Sequence, residues 1–167
     1  RVGTMVRGKD GEYHTITGNQ MGVLLLDYII NAKKANGTMP ENPAFIKTIV
    51  TTNMGREIAE RNGVHVEETF TGFKFLAEKK DKLENAGEGK VIFAYEESYG
   101  YMMGDYVRDK DAVTASMLIA EMAASYFKKG MTLADALDAL YEKYGWFGEL
   151  TLNLVMPGLD GLEKMRG

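Results

Sequence analysis

The run Val91-Ile92-Phe93-Ala94-Tyr95 is apolar throughout and stops abruptly at Glu96-Glu97-Ser98-Tyr99-Gly100. So short and apolar a segment reads as a buried strand. In an α/β domain the strand ends and the loops after them gather along one edge of the sheet, and ligand chemistry collects there. Two carboxylates and a hydroxyl at such an end therefore make the segment 96–100 the first candidate site.

The flanking sequence supplies the elements such a fold needs. Val2 to Arg7 and Tyr13 to Thr17 flank Gly8-Lys9-Asp10-Gly11, a turn with Asp-Gly chemistry, and predict a hairpin. Thr17 is placed to cap a helix running to about Lys34, with Met21, Leu24, Leu25, Tyr28 and Ile29 on one face and Asn36-Gly37 as its stop. Phe45 to Thr51 and Val64 to Thr69 read as strands around a short helix from Met54 to Asn62. Thr71-Gly72 then turns the chain toward a charged helix ending near Asn85.

Asp111 to Lys129 is apolar on most of its circumference, which predicts a helix buried on more than one side. Thr132 opens another helix through Tyr144, Trp146 to Val155 reads as a final strand, and Pro157-Gly158 with Asp160-Gly161 reads as an exit linker. Strands alternating with helices predict a layered α/β domain with a mixed, largely parallel sheet flanked by helices.

Several function classes are unfavoured. A formal charge of -4, with basic residues scattered among acidic ones, gives no footprint for nucleic acid, and no such partner is expected. The most apolar stretch, Val23 to Ile30, is interrupted by Asp27 and falls far short of the roughly 18 residues of a membrane span, so no membrane association is expected. The absence of cysteine fits a reducing compartment, and a cytoplasmic location is expected. The chain opens on Arg1-Val2-Gly3, without an initiator Met or a signal-peptide pattern, and reads as a piece of a longer protein.

Carboxylates accept hydrogen bonds from sugar hydroxyls, and a Ser can donate and accept, so Glu96, Glu97 and Ser98 suit the reading of hydroxyl orientation. The same loop also reads as a solvated turn with incidental acids. Arg108 and Lys110 stand before the long helix, where a helix N-terminus favours an anion such as phosphate. They equally read as surface partners of Asp105, Asp109 or Asp111. Thr71-Gly72-Phe73-Lys74 joins a hydroxyl, a permissive Gly and a Lys at a strand-to-helix junction, the parts of a phosphate contact or of a plain helix cap. His14 and His65 lack metal-ligand spacing and receive no role.

Taken in order, Thr71-Gly72-Phe73-Lys74, Tyr95-Glu96-Glu97-Ser98-Tyr99-Gly100 and Arg108-Asp109-Lys110-Asp111 resemble the third domain of the α-D-phosphohexomutases, the phosphoglucomutases and phosphomannomutases. The resemblance covers essentially the whole chain. It implies a domain III over residues 1–147, with the tail of domain II at about 1–12, and residues 148–167 leading toward a fourth domain. It also implies that Arg1 closes a magnesium-binding Asp-x-Asp-x-Asp-Arg segment whose aspartates lie upstream.

Members of that family transfer a phosphoryl group from a phosphoserine to a phosphohexose, giving a bound 1,6-bisphosphate that reorients and returns its other phosphate. The resemblance implies that Glu96 and Ser98, flanked by Glu97, contact sugar hydroxyls. Lys110, Thr71, Gly72 and Lys74 match other substrate-binding positions, with Arg108 and Arg1 as further candidates. It implies Mg2+ and glucose 1,6-bisphosphate as cofactors of the whole enzyme, and a phosphohexose and the other domains as partners. The phosphoserine and the metal aspartates have no counterpart here, so this chain alone is expected to be inactive. The alternative is a non-catalytic module that binds a sugar phosphate or a protein partner.

Overall fold

In the computed structural model, which describes residues 1–167 apart from residues 9, 151–154 and 167, the chain begins with the expected hairpin. Its strands β1 (Thr4–Arg7) and β2 (Tyr13–Ile16) pair antiparallel, with Val6 opposite His14. Helix α1 (Gly18–Ala35) follows directly. The Thr17 hydroxyl accepts from the Gln20 amide while the Gln20 side chain accepts from the Thr17 amide, so two of the free donors at the helix start are satisfied reciprocally.

Strand β3 (Pro43–Thr48), helix α2 (Asn53–Arg61), strand β4 (His65–Thr69), helix α3 (Phe73–Asn85) and strand β5 (Lys90–Glu96) then alternate as the sequence predicts. A short strand that the sequence does not announce, β6 (Gly100–Met102), turns back along β5. The sheet order is β4-β3-β5-β6; β3 is parallel to both β4 and β5, and β6 is antiparallel. The mixed, largely parallel sheet flanked by helices is thus present.

The two faces of the sheet bury different groups. Phe93 and Tyr95 join the larger core with α1, α2 and the later helices, whereas Val91 and Ala94 join Phe73, Leu76 and Leu83 of α3. A bulge explains how these residues divide. Ala44 pairs with Val91 but Phe45 pairs with Phe93, leaving Ile92 as the extra residue, so the alternation of β5 restarts at Phe93. From there Phe93 and Tyr95 share one face, and Ala94 shares the other with the next even position, Glu96.

Phe45, Phe93, Tyr95 and Tyr101 form a stack, with Tyr95 centred 5.7 Å from Phe45 and 5.6 Å from Phe93. Each such buried ring contributes roughly 1.5–3 kcal/mol. Helix α1 approaches this stack so closely that a Cβ on Gly22 would lie 2.2 Å from the Tyr95 ring.

Helices α4 (Ala112–Phe127) and α5 (Leu133–Tyr144) complete the larger core. Asp27 of α1 is buried and accepts from the Tyr144 hydroxyl at 2.7 Å and from Lys143 Nζ at 3.2 Å, tying α1 to α5.

Three readings of the sequence are corrected. α4 is buried along a single stripe, Ala115, Leu118, Ile119 and Met122, and leaves Val113, Met117 and Phe127 exposed. Strand β6 and helices α1 and α5 pack against α4, and β1 borders its flank from Ser116 to Phe127. Within the expected strand 146–155, residues 146–150 and 155 make no sheet pairing, and 151–154 lie outside the described residues. Gly145, with φ of 101°, ends α5, and the Trp146 ring folds back to 4.4 Å from that of Tyr141, which carries the segment across helices instead of along a strand. Where an exit linker was expected, helix α6 (Gly158–Arg166) forms, with Asp160 in its first turn and Lys164 and Arg166 in its last, the signs its dipole favours.

Candidate functional site

The loop 97–99 is a three-residue hairpin connection, because Glu96 and Gly100 pair across it. Loops of this length commonly place their last residue in the left-handed region, usually as Gly. Here Tyr99 takes that position, with φ of 64°, a conformation that costs a non-glycine residue about 1 kcal/mol or more. The chain start holds the loop in place. Arg1 Nη1 donates to the Ser98 carbonyl at 2.7 Å and the Val2 amide to that of Tyr99 at 3.3 Å.

Glu96 is 6% exposed, and its Oε1 accepts from the Gly72 amide at 2.6 Å. Gly72 is the N-cap of α3, sits at φ of 117° and offers no side chain of its own, and the first turn of α3 carries no acid. The Glu96 carboxylate thus supplies the negative charge that this helix start favours. A charge-assisted bond of this kind contributes roughly 1.5–3 kcal/mol.

Phe73 binds the three sequence motifs into one place. Its ring is buried in the α3-side core; a Cβ on Gly100 would lie 2.6 Å from it, and Lys110 Nζ lies 4.7 Å from its centroid. Lys110 also pairs with Asp109 at 2.9 Å, and this contact, ahead of the Lys110 backbone amide, holds the Asp109 carboxyl below its ordinary range. Lys74 is exposed and lies over the Phe75 ring at 4.8 Å. Among the described residues, the Ser98 and Thr71 hydroxyls have no hydrogen-bond partner. The three motifs meet at Phe73, and the hydroxyl, carboxylate and ammonium groups they carry are of the kinds that suit a ligand with both hydroxyls and negative charge.

Two predicted residues are turned elsewhere. Arg108 pairs with Asp81 at 2.6 Å, about two turns along α3 from Phe73, beside the Lys80, Glu84 and Asp105 network. Glu97, the first loop residue, lies beside the start of α1 and the turn after β3, away from the Gly72 contact of Glu96. Its Oε2 accepts from the Thr48 and Thr51 hydroxyls, each at 3.3 Å, and it borders a cavity of about 510 Å³ with Asn19, Thr52, Tyr141, Trp146 and Glu149.

Lys47, Thr48 and Thr51 were absent from the sequence candidates. A lysine between Ile46 and Thr48 in an otherwise apolar strand was the available signal. Among the described residues, no group of three or more His, Asp or Glu is placed to hold a metal ion, and no helix is long and apolar enough to cross a membrane.

The family model described as phosphoglucomutase/phosphomannomutase, alpha/beta/alpha domain III, matches residues 17–144. Over 165 residues the chain is 34% identical to a phosphoglucomutase of Staphylococcus aureus strain MSSA476 and 31% identical to one of Staphylococcus haemolyticus strain JCSC1435. Both matches cover 99% of this chain and 29% of the relative, so the chain spans less than a third of their length.

Among solved structures, parafusin, a phosphoglucomutase of Paramecium, superposes with a TM-score of 0.60 at 20% identity, over 85% of this chain and 23% of that one. An Aspergillus fumigatus N-acetylphosphoglucosamine mutase in complex with glucose 1,6-bisphosphate gives 0.58 at 12% identity, over 84% and 30%. At these identities the superpositions speak for the fold.

Proposed function

The chain belongs to the phosphoglucomutase/phosphomannomutase family as an alpha/beta/alpha domain III, and on that premise we propose that it is the sugar-recognition wall of a phosphohexomutase. The whole enzyme would interconvert hexose 1-phosphate and 6-phosphate through a phosphoserine and a bound 1,6-bisphosphate such as glucose 1,6-bisphosphate. The observation that carries this reading is the convergence of the loop 96–100, the junction 71–74 and Lys110 around Phe73.

In this reading the Ser98 hydroxyl and the Glu96 carboxylate take sugar hydroxyls, one free to donate and the other an acceptor already fixed by Gly72. Thr71 and the backbone at Gly72 close the site from the α3 side. Lys74 and Lys110 supply positive charge for a phosphate. Phosphoryl transfer depends on positioning and charge neutralisation by several groups at once, and this chain contributes the positioning of the sugar.

Arg108, committed to Asp81, receives no sugar contact, and Arg1 acts on the loop through the Ser98 carbonyl. Residues 1–147 would form the domain, with 1–12 as the end of the preceding one and 148–167 leading into the next. Magnesium would be held by residues of the parent protein outside this chain, whose described residues offer no ligand group. A cytoplasmic location accords with the cysteine-free composition.

The test is Ser98→Ala in the parent enzyme, assayed with glucose 1-phosphate. The loss of one hydroxyl contact is expected to lower kcat/KM about tenfold, with an unchanged melting temperature. Wild-type kinetics would overturn the assignment. A heteronuclear titration with glucose 1,6-bisphosphate is expected to shift residues 71–74 and 96–110 together.

A further inference from the structure

Glu97 stands next to the proposed sugar ligands and faces away from them, toward the turn that leaves β3. That turn is built over Lys47, which is 0% exposed. A buried ammonium is tolerated only when its donors are satisfied. Lys47 Nζ donates to the carbonyls of Thr48 at 3.2 Å and Thr51 at 2.8 Å and pairs with Glu68 at 2.9 Å, which uses its three protons. Glu68 is also paired with Arg56 of α2 at 2.9 Å, and these two cations, Lys47 first, hold its carboxyl below the ordinary range. The Thr51 amide donates to the Thr48 carbonyl at 3.0 Å, closing the turn.

Both turn carbonyls therefore point at the buried ammonium, and both hydroxyls are left facing Glu97. The Thr48 and Thr51 hydroxyls lie 2.6 Å apart, and each lies 3.3 Å from Glu97 Oε2. Two hydroxyls carry two protons, and the bond between them uses one. One proton remains for the carboxylate, and either threonine can supply it.

We propose that Lys47, Thr48 and Thr51 are positioning residues that hold the sugar loop through Glu97, with the two hydroxyls acting as interchangeable donors. The inference rests on the sugar-site reading above. The pressure on the loop is visible in Tyr99, whose left-handed backbone must be held by its surroundings. Arg1 and Val2 grip Ser98 and Tyr99 from the chain start, and the threonine pair grips Glu97 from the sheet side. A carboxylate cut off from these donors would turn to solvent and take the short loop with it.

The experiment compares variants of the parent enzyme in KM for glucose 1-phosphate. Thr48→Val and Thr51→Val alone are expected to change KM by less than about threefold, because the surviving hydroxyl turns to Glu97. The double valine variant is expected to raise KM about tenfold with kcat less affected, and the double serine variant to restore it. Hydrogen exchange of a peptide covering residues 96–102 is expected to quicken in the double valine variant alone. Should that variant fold poorly, Lys47→Met, which releases the two carbonyls while keeping side-chain volume, carries the same expected rise in KM. A wild-type KM in the folded double valine variant, or a rise that serine does not reverse, overturns the proposal. Ser98→Ala measured alongside separates the readings: impaired, it leaves the sugar site standing without the threonine device; unimpaired, both fall.

Discussion

The Glu96 carboxylate accepts the Gly72 amide at 2.6 Å across 24 positions of sequence, so one side chain both ends β5 and caps α3. Glu96→Ala leaves that amide without its acceptor in a largely buried site and is expected to cost roughly 1.5–3 kcal/mol of stability. Glu96→Gln keeps a carbonyl acceptor and is expected to cost less than half of that. Urea unfolding of the two variants beside the wild type measures the difference. Equal losses in both would show that the bond does not support α3.

Gly22→Ala sets a methyl group 2.2 Å from the Tyr95 ring, inside a four-ring stack with no room to yield. Either α1 lifts from the sheet or the ring leaves its rotamer, and overpacking of this kind costs about 1–3 kcal/mol. A lowered urea midpoint with an unchanged slope is expected. A midpoint equal to the wild type would mean that the close approach is not maintained in solution.

Asp105 bridges Lys80 and Lys90 at 2.6 and 2.8 Å, and these cations, Lys80 first, push its carboxyl down to about 2 from the ordinary 3.8. A carboxyl with a depressed folded value contributes stability that is fully present above the unfolded value and is lost as pH falls through the folded one. The side chain is 63% exposed, and solvent screening limits the contribution to about 1 kcal/mol. Asp105→Asn is therefore expected to be less stable than wild type at pH 7, with the gap closing between about pH 4 and pH 2. A gap independent of pH would assign the effect to packing.

Tyr95 and Tyr101 carry buried hydroxyls without a hydrogen-bond partner among the described residues, and burial pushes both phenols up. Removing an unsatisfied buried hydroxyl while keeping the ring is neutral or stabilising. Tyr101→Phe is expected to raise the melting temperature or leave it unchanged. A loss of more than about 1 kcal/mol would mean that the hydroxyl is bonded in solution.

Most of this architecture was legible in the sequence. Thr17 and Asn36 mark the ends of α1 because capping is local chemistry, and the apolar run at 91–95 marks the strand at the centre of the site. Strand β6 escaped because its three residues are too few to show an alternation, and its direction is set by the turn at Tyr99, which no turn residue announces. The side on which Glu96 lies follows from strand parity, but the bulge at Ile92 resets that parity and is visible only in the pairing with β3. The breadth of the apolar surface on α4 is legible in the sequence, whereas its burial is not, since a hydrophobic circumference says nothing of how many neighbours are present. Arg108 and Lys110 share a motif, yet Asp81 takes the first and Phe73 the second, a division that only the packing of α3 decides.

The pairing of Glu96 with Gly100 makes the loop between them a cassette of fixed length. Glu97 is held by the threonines and Tyr99 by its own turn, whereas the Ser98 hydroxyl has no partner among the described residues, so the identity of Ser98 is open to redesign. The residue count of the loop is not. One insertion would slide β6 against β5, turn Tyr101 out of the aromatic stack and pull Asp111 away from the Tyr101 carbonyl that anchors the start of α4. If the loop reads a sugar as proposed, its preference is to be altered by substitution within the cassette and not by lengthening it.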